Sequence, residues 1–275
     1  MAMAATTALR STVERVKRCA TLKGRAQQGL YVIEGERVVR RALAAGVQLE
    51  QVLVAEGLLA EPHCTALARA IAAQQVEVEQ IPRHVLTELA DGRNSGSCVA
   101  LAKLPATQSL QAWWQSQAET DSVTLLVLAN VREPGNVGAL TRTALASGVR
   151  ALVTLGETDP FHPKAVRSSL GSLFKLQYLT AENEAALSAF CRLNGVRQVA
   201  AVAEGGVPLP RSRQLTPPLA LYVGNETQGL STELLAGVDE RVTIPMPEGV
   251  DSFSVNAATA IVLYEIAQRR YEPRA

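Results

Sequence analysis

Short apolar runs alternate with amphipathic segments through the second half of the sequence. Five of these runs are too short for helices and are typical of strands that are covered on both faces of a parallel sheet. They lie at residues 124–128, 151–155, 199–202, 219–223 and 242–244. Helices are predicted between and after them at residues 137–147, 163–173, 182–193, 231–235 and 256–270. The pattern predicts a doubly wound α/β domain with a mostly parallel sheet, whose ligand site lies at the carboxyl ends of the strands.

The first hundred residues show the same alternation on a smaller scale. Strands are predicted at residues 31–33, 52–54, 76–78 and 97–102, with helices at 36–45 and 64–73 and a third that opens at Pro82. A connector with one amphipathic helix follows, in which Trp113 and Trp114 are interpreted as packing residues. We therefore predict a smaller α/β domain at 1–104, a linker at 105–121 and the larger domain at 122–275.

Composition limits the class of protein. The 275 residues are 47% hydrophobic, which is enough for a sizeable core, and they contain no apolar stretch of membrane-spanning length and no secretory signal. The four cysteines form no C-x-x-C and the three histidines form no H-E-x-x-H, so neither a disulfide framework nor a structural zinc site is predicted. These features predict a soluble cytoplasmic protein with reduced, buried thiols. His162 is interpreted as a surface loop residue.

Charge is distributed unevenly although the net charge is only +1. Nine basic and three acidic residues lie between Arg10 and Arg41, which leaves a net charge of −5 for the rest of the chain. Such an excess is typical of surfaces that bind phosphate, although a solvated helix face would also explain it. The candidate nucleic-acid-binding residues are Arg10, Arg15, Lys17, Arg18, Lys23, Arg25 and Arg37.

Two loops that follow predicted strands carry residues that a plain connector does not need. The first runs from Asn130 into the helix that carries Arg142, and in it Asn136 suits a helix N-cap. An ordinary capped helix with a solvated arginine would also explain this loop. The second loop begins at Gly224 and has Glu226 beside the carboxyl edge of the sheet, where its glycines let the backbone approach a ligand.

A third loop contains Ile244 and Met246 in an I-P-M-P sequence and then leads through Ser254 to Asn256 at the start of the last helix. These two polar side chains can cap the helix or bind a substrate, and the two roles are compatible. The chain has no G-x-G-x-x-G after an early strand and no G-x-x-x-x-G-K-[ST], so neither a dinucleotide-binding fingerprint nor a P-loop is indicated.

The three loops together resemble a known family. The ordered patterns N-x-R-E-P-G-N-V-G-A-x-x-R-T, G-N-E-x-x-G-L-S and I-P-M-P with S-V-N-A-A-x-A are similar to the SpoU/TrmH branch of the SPOUT RNA methyltransferases. The resemblance extends from residue 123 to about residue 270. The basic leader, V-I-E-G-E-R at 32–37 and G-S-C-V-A at 96–100 resemble, more loosely, the SpoU substrate-binding domain, which is related to ribosomal-RNA-binding proteins.

The resemblance implies a deep trefoil knot in the C-terminal domain and S-adenosylmethionine as the cofactor. Carried over to this sequence, the cofactor-binding positions are Gly224, Ile244, Met246 and Val255, where relatives usually have leucine at the last position. The backbone supplies these contacts, so the valine is compatible with them. The family also implies a homodimer that forms through the C-terminal domain, and a reaction that requires no metal.

The catalytic residues that the resemblance implies are Arg142, Asn136, Glu226, Ser254 and Asn256. The implied reaction is transfer of the sulfonium methyl group to a ribose 2'-oxygen of RNA, with ribosomal RNA favoured over transfer RNA. Arg142 is the family's proposed general base, but the guanidinium group of arginine does not give up its proton readily, which favours a role in holding phosphate and oxygen. The alternatives are a non-catalytic RNA-binding relative, an RNA base methyltransferase and a structural α/β protein.

Overall fold

The computed structural model describes residues 2–90, 97–249 and 251–271. The chain divides into two compact units. The first contains Met1–Ala106 together with Pro160–Lys175, and the second contains Thr107–Asp159 and Leu176–Ala275. Residues 160–175, which lie inside the second predicted domain, therefore pack with the first unit.

The first unit contains a small mixed sheet covered by helices. Its elements, in chain order, are α1 (Ala2–Cys19), α2 (Leu22–Gln28), β1 (Leu30–Glu34), α3 (Glu36–Ala44), β2 (Leu49–Ala55), α4 (Thr65–Ala73), β3 (Glu77–Ile81), α5 (Arg83–Leu89) and β4 (Cys98–Lys103). Two 3-10 turns, Leu58–Ala60 and Pro62–Cys64, precede α4. The strand order is β1-β4-β2-β3, with β4 antiparallel to both neighbours and β2 parallel to β3.

The second unit contains the larger sheet. Its elements are α6 (Leu110–Gln115), β5 (Thr124–Ala129), α7 (Pro134–Ala146), β6 (Ala151–Leu155), β7 (Gln177–Thr180), α9 (Glu184–Leu193), β8 (Arg197–Ala201), β9 (Val207–Pro208), β10 (Leu219–Val223), α10 (Thr232–Gly237), β11 (Glu240–Thr243) and α11 (Val255–Tyr271). Between β6 and β7 the chain forms α8 (Pro163–Ser168), which belongs to the first unit.

The larger sheet is parallel, as the apolar runs predict. Its order is β7-β6-β5-β10-β8-β11-β9, and every strand pairing among the described residues is parallel. All residues of β5, β6 and β10 are buried because helices cover both faces. Trp113 and Trp114 are buried in the same core, in agreement with the packing role predicted for them.

The segment around α8 differs from the single predicted helix at 163–173. The helix ends at Ser168 because Leu170 and Gly171 have positive φ angles of 49° and 87°, and a 3-10 turn, Ser172–Lys175, follows. His162 is half-buried, and its Nδ1 accepts a hydrogen bond from the backbone N–H of Lys164 at 3.1 Å. The histidine therefore caps α8.

The four cysteines are free and buried, as predicted. Among the helices of the described residues, none combines the length and apolar character needed to cross a bilayer.

Candidate active site

The three loops singled out in the sequence follow β5, β10 and β11. Strands β5 and β10 are neighbours, and β8 separates β10 from β11. Because all these strands are parallel, the loops leave the same edge of the sheet. The side-chain amide of Asn225, in the second loop, donates to the backbone carbonyl of Asn130, in the first, at 3.1 Å.

The loop after β10 is a compact turn. Asn225 and Gly229 exchange two backbone hydrogen bonds of 3.1 and 2.9 Å. The Oδ1 atom of Asn225 accepts from the backbone N–H groups of Thr227 and Gln228 at 2.8 and 3.0 Å. A Cβ atom on Gly224 would lie 2.5 Å from the carbonyl carbon and oxygen of Gly229, so the closure of this turn requires glycine at position 224.

The three strand ends β8, β10 and β11 border a cavity of about 480 Å³. This volume lies within the range of about 300–1,000 Å³ that small-molecule and cofactor sites occupy. All four predicted cofactor positions line the cavity, namely Gly224, Ile244, Met246 and Val255. The wall also includes Glu226, the exposed ring of Phe253 and residues 201–204. Size, mixed polarity and close backbone approach fit a cofactor that carries both apolar and polar groups.

Asn136 and Glu226 are brought together from the first and second loops. The Nδ2 atom of Asn136 donates to Oε1 of Glu226 at 2.7 Å. The prediction that Asn136 caps the helix is wrong, because α7 begins earlier, at Pro134, and the side chain of Glu133 accepts from the backbone N–H of Gly135 at 3.2 Å. The earlier start places Asn136 in the first turn, where its side chain reaches the second loop.

Arg142 lies on α7 with an exposed side chain, and its guanidinium group forms no hydrogen bond or ion pair with any residue in the described ranges. The next residue, Thr143, donates through Oγ1 to Oδ1 of Asn256 at 2.9 Å. This bond links α7 to the first turn of α11. It also sets the orientation of the Asn256 side-chain amide. Because Oδ1 accepts the hydrogen bond from Thr143, Nδ2 is the atom of this side chain that can donate to a substrate.

Ser254 caps α11. Its Oγ accepts from the backbone N–H of Ala257 at 3.3 Å and its carbonyl accepts from the N–H of Ala258 at 2.9 Å. The side chain is nevertheless exposed, so the capping role expected from the sequence leaves it accessible.

The seven candidate RNA-binding residues of the first unit differ in their exposure. Arg10, Lys17, Arg18, Lys23 and Arg37 are exposed, as binding to a polyanion requires. Arg15 is half-buried in an ion pair with Glu50.

The prediction that Arg25 binds RNA is wrong, because this residue is buried. It is only 1% exposed, and its guanidinium donates to the backbone carbonyl of Cys19 at 2.8 Å. A buried guanidinium cannot contact RNA phosphate from this position, so Arg25 is a packing residue that joins α1 to α2.

Sequence reasoning missed two residues that organise the site. Asn225 fixes the second loop and Thr143 positions Asn256, and both lie within the recognised motifs, directly beside residues that were selected. The amide group of Asn225 and the hydroxyl group of Thr143 were the features of the sequence that could have indicated their roles. Residues 201–204, which line the cavity after β8, lie outside the motifs and carry no comparable signal.

Fold and cavity together define an α/β domain that binds a small molecule at the carboxyl edge of a parallel sheet. The model of the SpoU rRNA Methylase family matches residues 123–264, and that of the MRM3-like substrate binding domain matches residues 11–100. The chain therefore belongs to the SpoU rRNA methylase family, whose members are RNA methyltransferases that use S-adenosylmethionine.

Individual relatives agree with this assignment over nearly the whole chain. A solved RNA 2'-O ribose methyltransferase is 31% identical, with a TM-score of 0.79 and coverage of 95% of this chain and 96% of that one. The SpoU methyltransferase AviRb from Streptomyces viridochromogenes, in complex with AdoMet, is 25% identical, with a TM-score of 0.82 and coverage of 94% and 99%. An uncharacterized tRNA/rRNA methyltransferase of Synechocystis sp. is 28% identical over 94% of this chain and 91% of its own length.

Proposed function

We propose that this protein methylates the 2'-hydroxyl of a ribose in RNA, with ribosomal RNA preferred over transfer RNA, and uses S-adenosylmethionine as the methyl donor. The observation that carries the proposal is that Glu226 both lines the cofactor-sized cavity and accepts a hydrogen bond from Asn136 at the start of α7. This contact connects the cavity to the helix that carries Arg142. The 2'-O ribose methyltransferase among the similar structures supports the same reaction.

The cofactor is proposed to bind through the backbone at Gly224, Ile244, Met246 and Val255. These residues come from the second and third loops, and each of them lines the cavity. When bound, S-adenosylmethionine supplies a sulfonium methyl group that is already activated for transfer. The task of the protein is then mainly to align the ribose oxygen with that methyl group and to help remove the hydroxyl proton.

Arg142 is proposed to hold the ribose 2'-oxygen and an adjacent phosphate. Its charged, exposed guanidinium has no partner among the described residues, so its donors are available to a substrate. A guanidinium keeps its proton at neutral pH, which makes it a poor base but a good source of charge-assisted hydrogen bonds. The hydroxyl proton is proposed to leave to phosphate or water. Glu226 is proposed to orient Asn136, from which it accepts a hydrogen bond, or Arg142. Ser254 and Asn256 are proposed to position the ribose and the phosphate.

An Arg142→Lys variant tests this role. We expect it to lose most activity, because lysine keeps the charge but lacks the planar pair of donors. Methyl transfer near the wild-type rate would contradict a need for two-point binding. Arg142→Ala removes the guanidinium group altogether. Arg192→Ala, at an exposed arginine of α9 in the same unit, is the matched control.

The RNA is proposed to bind to the exposed basic residues of the first unit, among them Lys17, Arg18 and Lys23. The match of residues 11–100 to a substrate binding domain supports this assignment. The preference for ribosomal RNA rests on the family description and on the resemblance of this unit to ribosomal-RNA-binding proteins.

The fold is proposed to contain a deep trefoil knot and to form a homodimer through the C-terminal domain. The exposed ring of Tyr264 on α11, beside the buried Leu263, supports an interface on this helix. Light scattering of the purified protein tests it, since a monomer mass would contradict the dimer. The cytoplasm is proposed as the site of action, which four free cysteines support.

Two alternatives to a ribose 2'-O-methyltransferase make different predictions. A non-catalytic RNA-binding relative would bind RNA without methyl transfer, and the retention of all five candidate catalytic residues argues against it. A base methyltransferase would transfer methyl groups to a nucleobase.

The test is incorporation of labelled methyl groups into unmodified ribosomal and transfer RNA, followed by nuclease mapping of the labelled nucleotide. We expect label in ribosomal RNA. Label only in transfer RNA would overturn the proposed substrate, and S-adenosylmethionine binding without label in either RNA would favour the non-catalytic alternative.

A further inference from the structure

Three metal-ligating side chains meet in the first unit, within the part of the chain assigned to substrate binding. Glu36 is the first residue of α3, and His63 and Cys64 lie in the 3-10 turn that precedes α4. Their ligand atoms all lie within 4.8 Å of one another. The Sγ of Cys64 is 3.3 Å from Oε2 of Glu36, and the same oxygen is 3.5 Å from Nε2 of His63.

These separations agree with the edges of a zinc tetrahedron. Zinc binds thiolate at about 2.3 Å and imidazole or carboxylate at about 2.0–2.2 Å. At tetrahedral angles, these bond lengths place a nitrogen–oxygen pair about 3.3–3.6 Å apart and a sulfur–oxygen pair about 3.5–3.7 Å apart. The 3.5 Å contact between His63 and Glu36 falls in its interval, whereas the 3.3 Å contact between Cys64 and Glu36 is shorter than its interval by about 0.2 Å. A zinc ion bound at this point would therefore need a small outward movement of the thiol.

Two further side chains hold two of the three candidate ligands, His63 and Glu36, in orientation. The Nδ1 atom of His63 is 3.3 Å from Oε2 of Glu61, which leaves Nε2 directed to the cluster. Ser97 donates through Oγ to Oε1 of Glu36 at 2.5 Å, which leaves Oε2 for the cluster. A carboxylate behind a ligating histidine and a hydrogen bond to a ligating carboxylate are the usual outer contacts of a zinc site.

Burial and ligand type also favour zinc. Cys64 is 1% exposed whereas His63 is exposed, so the cluster lies at the rim of the unit, with solvent on one side. Sulfur, imidazole nitrogen and one carboxylate oxygen form a ligand set that suits zinc better than magnesium or calcium, which prefer oxygen. Three protein ligands leave the fourth position to water.

We propose that Glu36, His63 and Cys64 bind one zinc ion that links the start of α3 to the turn before α4. On binding, the thiol proton of Cys64 passes to solvent, and the thiolate replaces one of the water molecules of the hydrated zinc ion. The ion cross-links these two segments of the substrate-binding unit through three protein ligands, rather than the four of a closed structural site, and takes no part in methyl transfer. It is separate from the cavity at the carboxyl edge of the larger sheet and does not depend on the proposed reaction.

Cobalt substitution of the full-length protein tests the proposal. The protein is stripped with a chelator, dialysed and titrated with Co²⁺, with absorbance recorded from the near ultraviolet to the visible. We expect one equivalent of Co²⁺ to bind, with a thiolate-to-cobalt charge-transfer band and the intense visible bands of a tetrahedral ion. Added Zn²⁺ should remove both signals.

Variants test two of the three ligands, Cys64 and His63. Cys64→Ser should lose the charge-transfer band, and His63→Ala, at an exposed position where folding is not at risk, should lose the tetrahedral bands. His84→Ala, at an exposed histidine of α5 in the same unit, is the matched control and should keep both. A wild-type protein without the charge-transfer band, or a His63→Ala variant with an unchanged spectrum, would overturn the assignment.

Discussion

The cavity that is proposed to bind the cofactor depends on the absence of a side chain at position 224. A Cβ atom there would lie 2.5 Å from the carbonyl carbon and oxygen of Gly229 and 2.8 Å from the backbone nitrogen of Leu230. Ordinary contacts of a Cβ atom begin at about 3.4 Å, so Gly224→Ala creates an overlap of nearly 1 Å with the backbone. No flexible side chain is available to move aside, and the turn at the end of β10 must open.

The magnitude follows from the cost of overpacking. Forcing one extra methyl group into a filled site costs about 1–3 kcal/mol. If the turn must close again to hold the cofactor, that cost appears as weaker binding, and the Kd for S-adenosylmethionine rises about 5- to 150-fold.

Isothermal titration calorimetry of the two proteins with S-adenosylmethionine measures this effect. Gly237→Ala is the matched control because a Cβ atom at Gly237, in α10 of the same unit, meets only Oγ of Ser188 at 3.9 Å. We expect the control to bind like the wild type. Binding by Gly224→Ala within twofold of the wild type would show that this turn does not form the cofactor site.

Three further outcomes are expected. Thr143→Val removes the hydrogen bond to Asn256, which is worth about 0.5–1.5 kcal/mol, so the rate of methyl transfer should fall about 2- to 12-fold. Thr143→Ser keeps the hydroxyl group and should restore the rate. An unchanged rate for the valine variant would refute the positioning role. Arg25→Met should lower the free energy of unfolding, measured by urea denaturation, by about 1–3 kcal/mol. The exposed control Lys23→Met should lower it by about 0.5 kcal/mol or less, and equal effects of the two variants would contradict the burial argument. The affinity for RNA should fall as the salt concentration rises. Lys17→Gln should make the slope of the logarithm of the binding constant against the logarithm of the salt concentration shallower by about 0.7–0.9. A slope near zero in the wild type would exclude binding that is driven by phosphate contacts.

Buried strands of the larger sheet were the most predictable elements. The predicted runs at 151–155 and 219–223 match β6 and β10 at both ends, because strands covered on both faces must be apolar throughout. The sequence did not indicate β7 or β9. Strand β7 has the polar sequence Q-Y-L-T at the edge of the sheet, and β9 has two residues, so neither shows an apolar run.

Local competition between similar signals explains the errors at the site. Glu133 and Asn136 can both cap a helix, and the proline at 134, which suits the first helical position, was the better guide to the start of α7. Lys23 and Arg25 lie two residues apart on α2, and only the packing of α2 against α1 decides that one is exposed and the other buried.

Contacts between distant segments were beyond sequence reasoning. The bond from Thr143 to Asn256 joins residues 113 positions apart, and the cluster at Glu36 joins residues 28 positions apart. No spacing rule for metal ligands relates Glu36 to Cys64, because the strands and turns between them set the distance. The family motifs selected three loops that leave the same edge of the sheet, whereas the pairing of side chains across those loops required the fold.

The most direct test of the central claim is the identity of the methylated nucleoside. RNA labelled by the enzyme with methyl groups from S-adenosylmethionine is digested to nucleosides, which are separated and identified by mass spectrometry, and the reaction is repeated on RNA with a 2'-deoxy substitution at the mapped position. We predict that the label is recovered as a 2'-O-methyl nucleoside and that the 2'-deoxy substrate accepts none. Label in a methylated base, with undiminished transfer to the 2'-deoxy substrate, would contradict the proposed function.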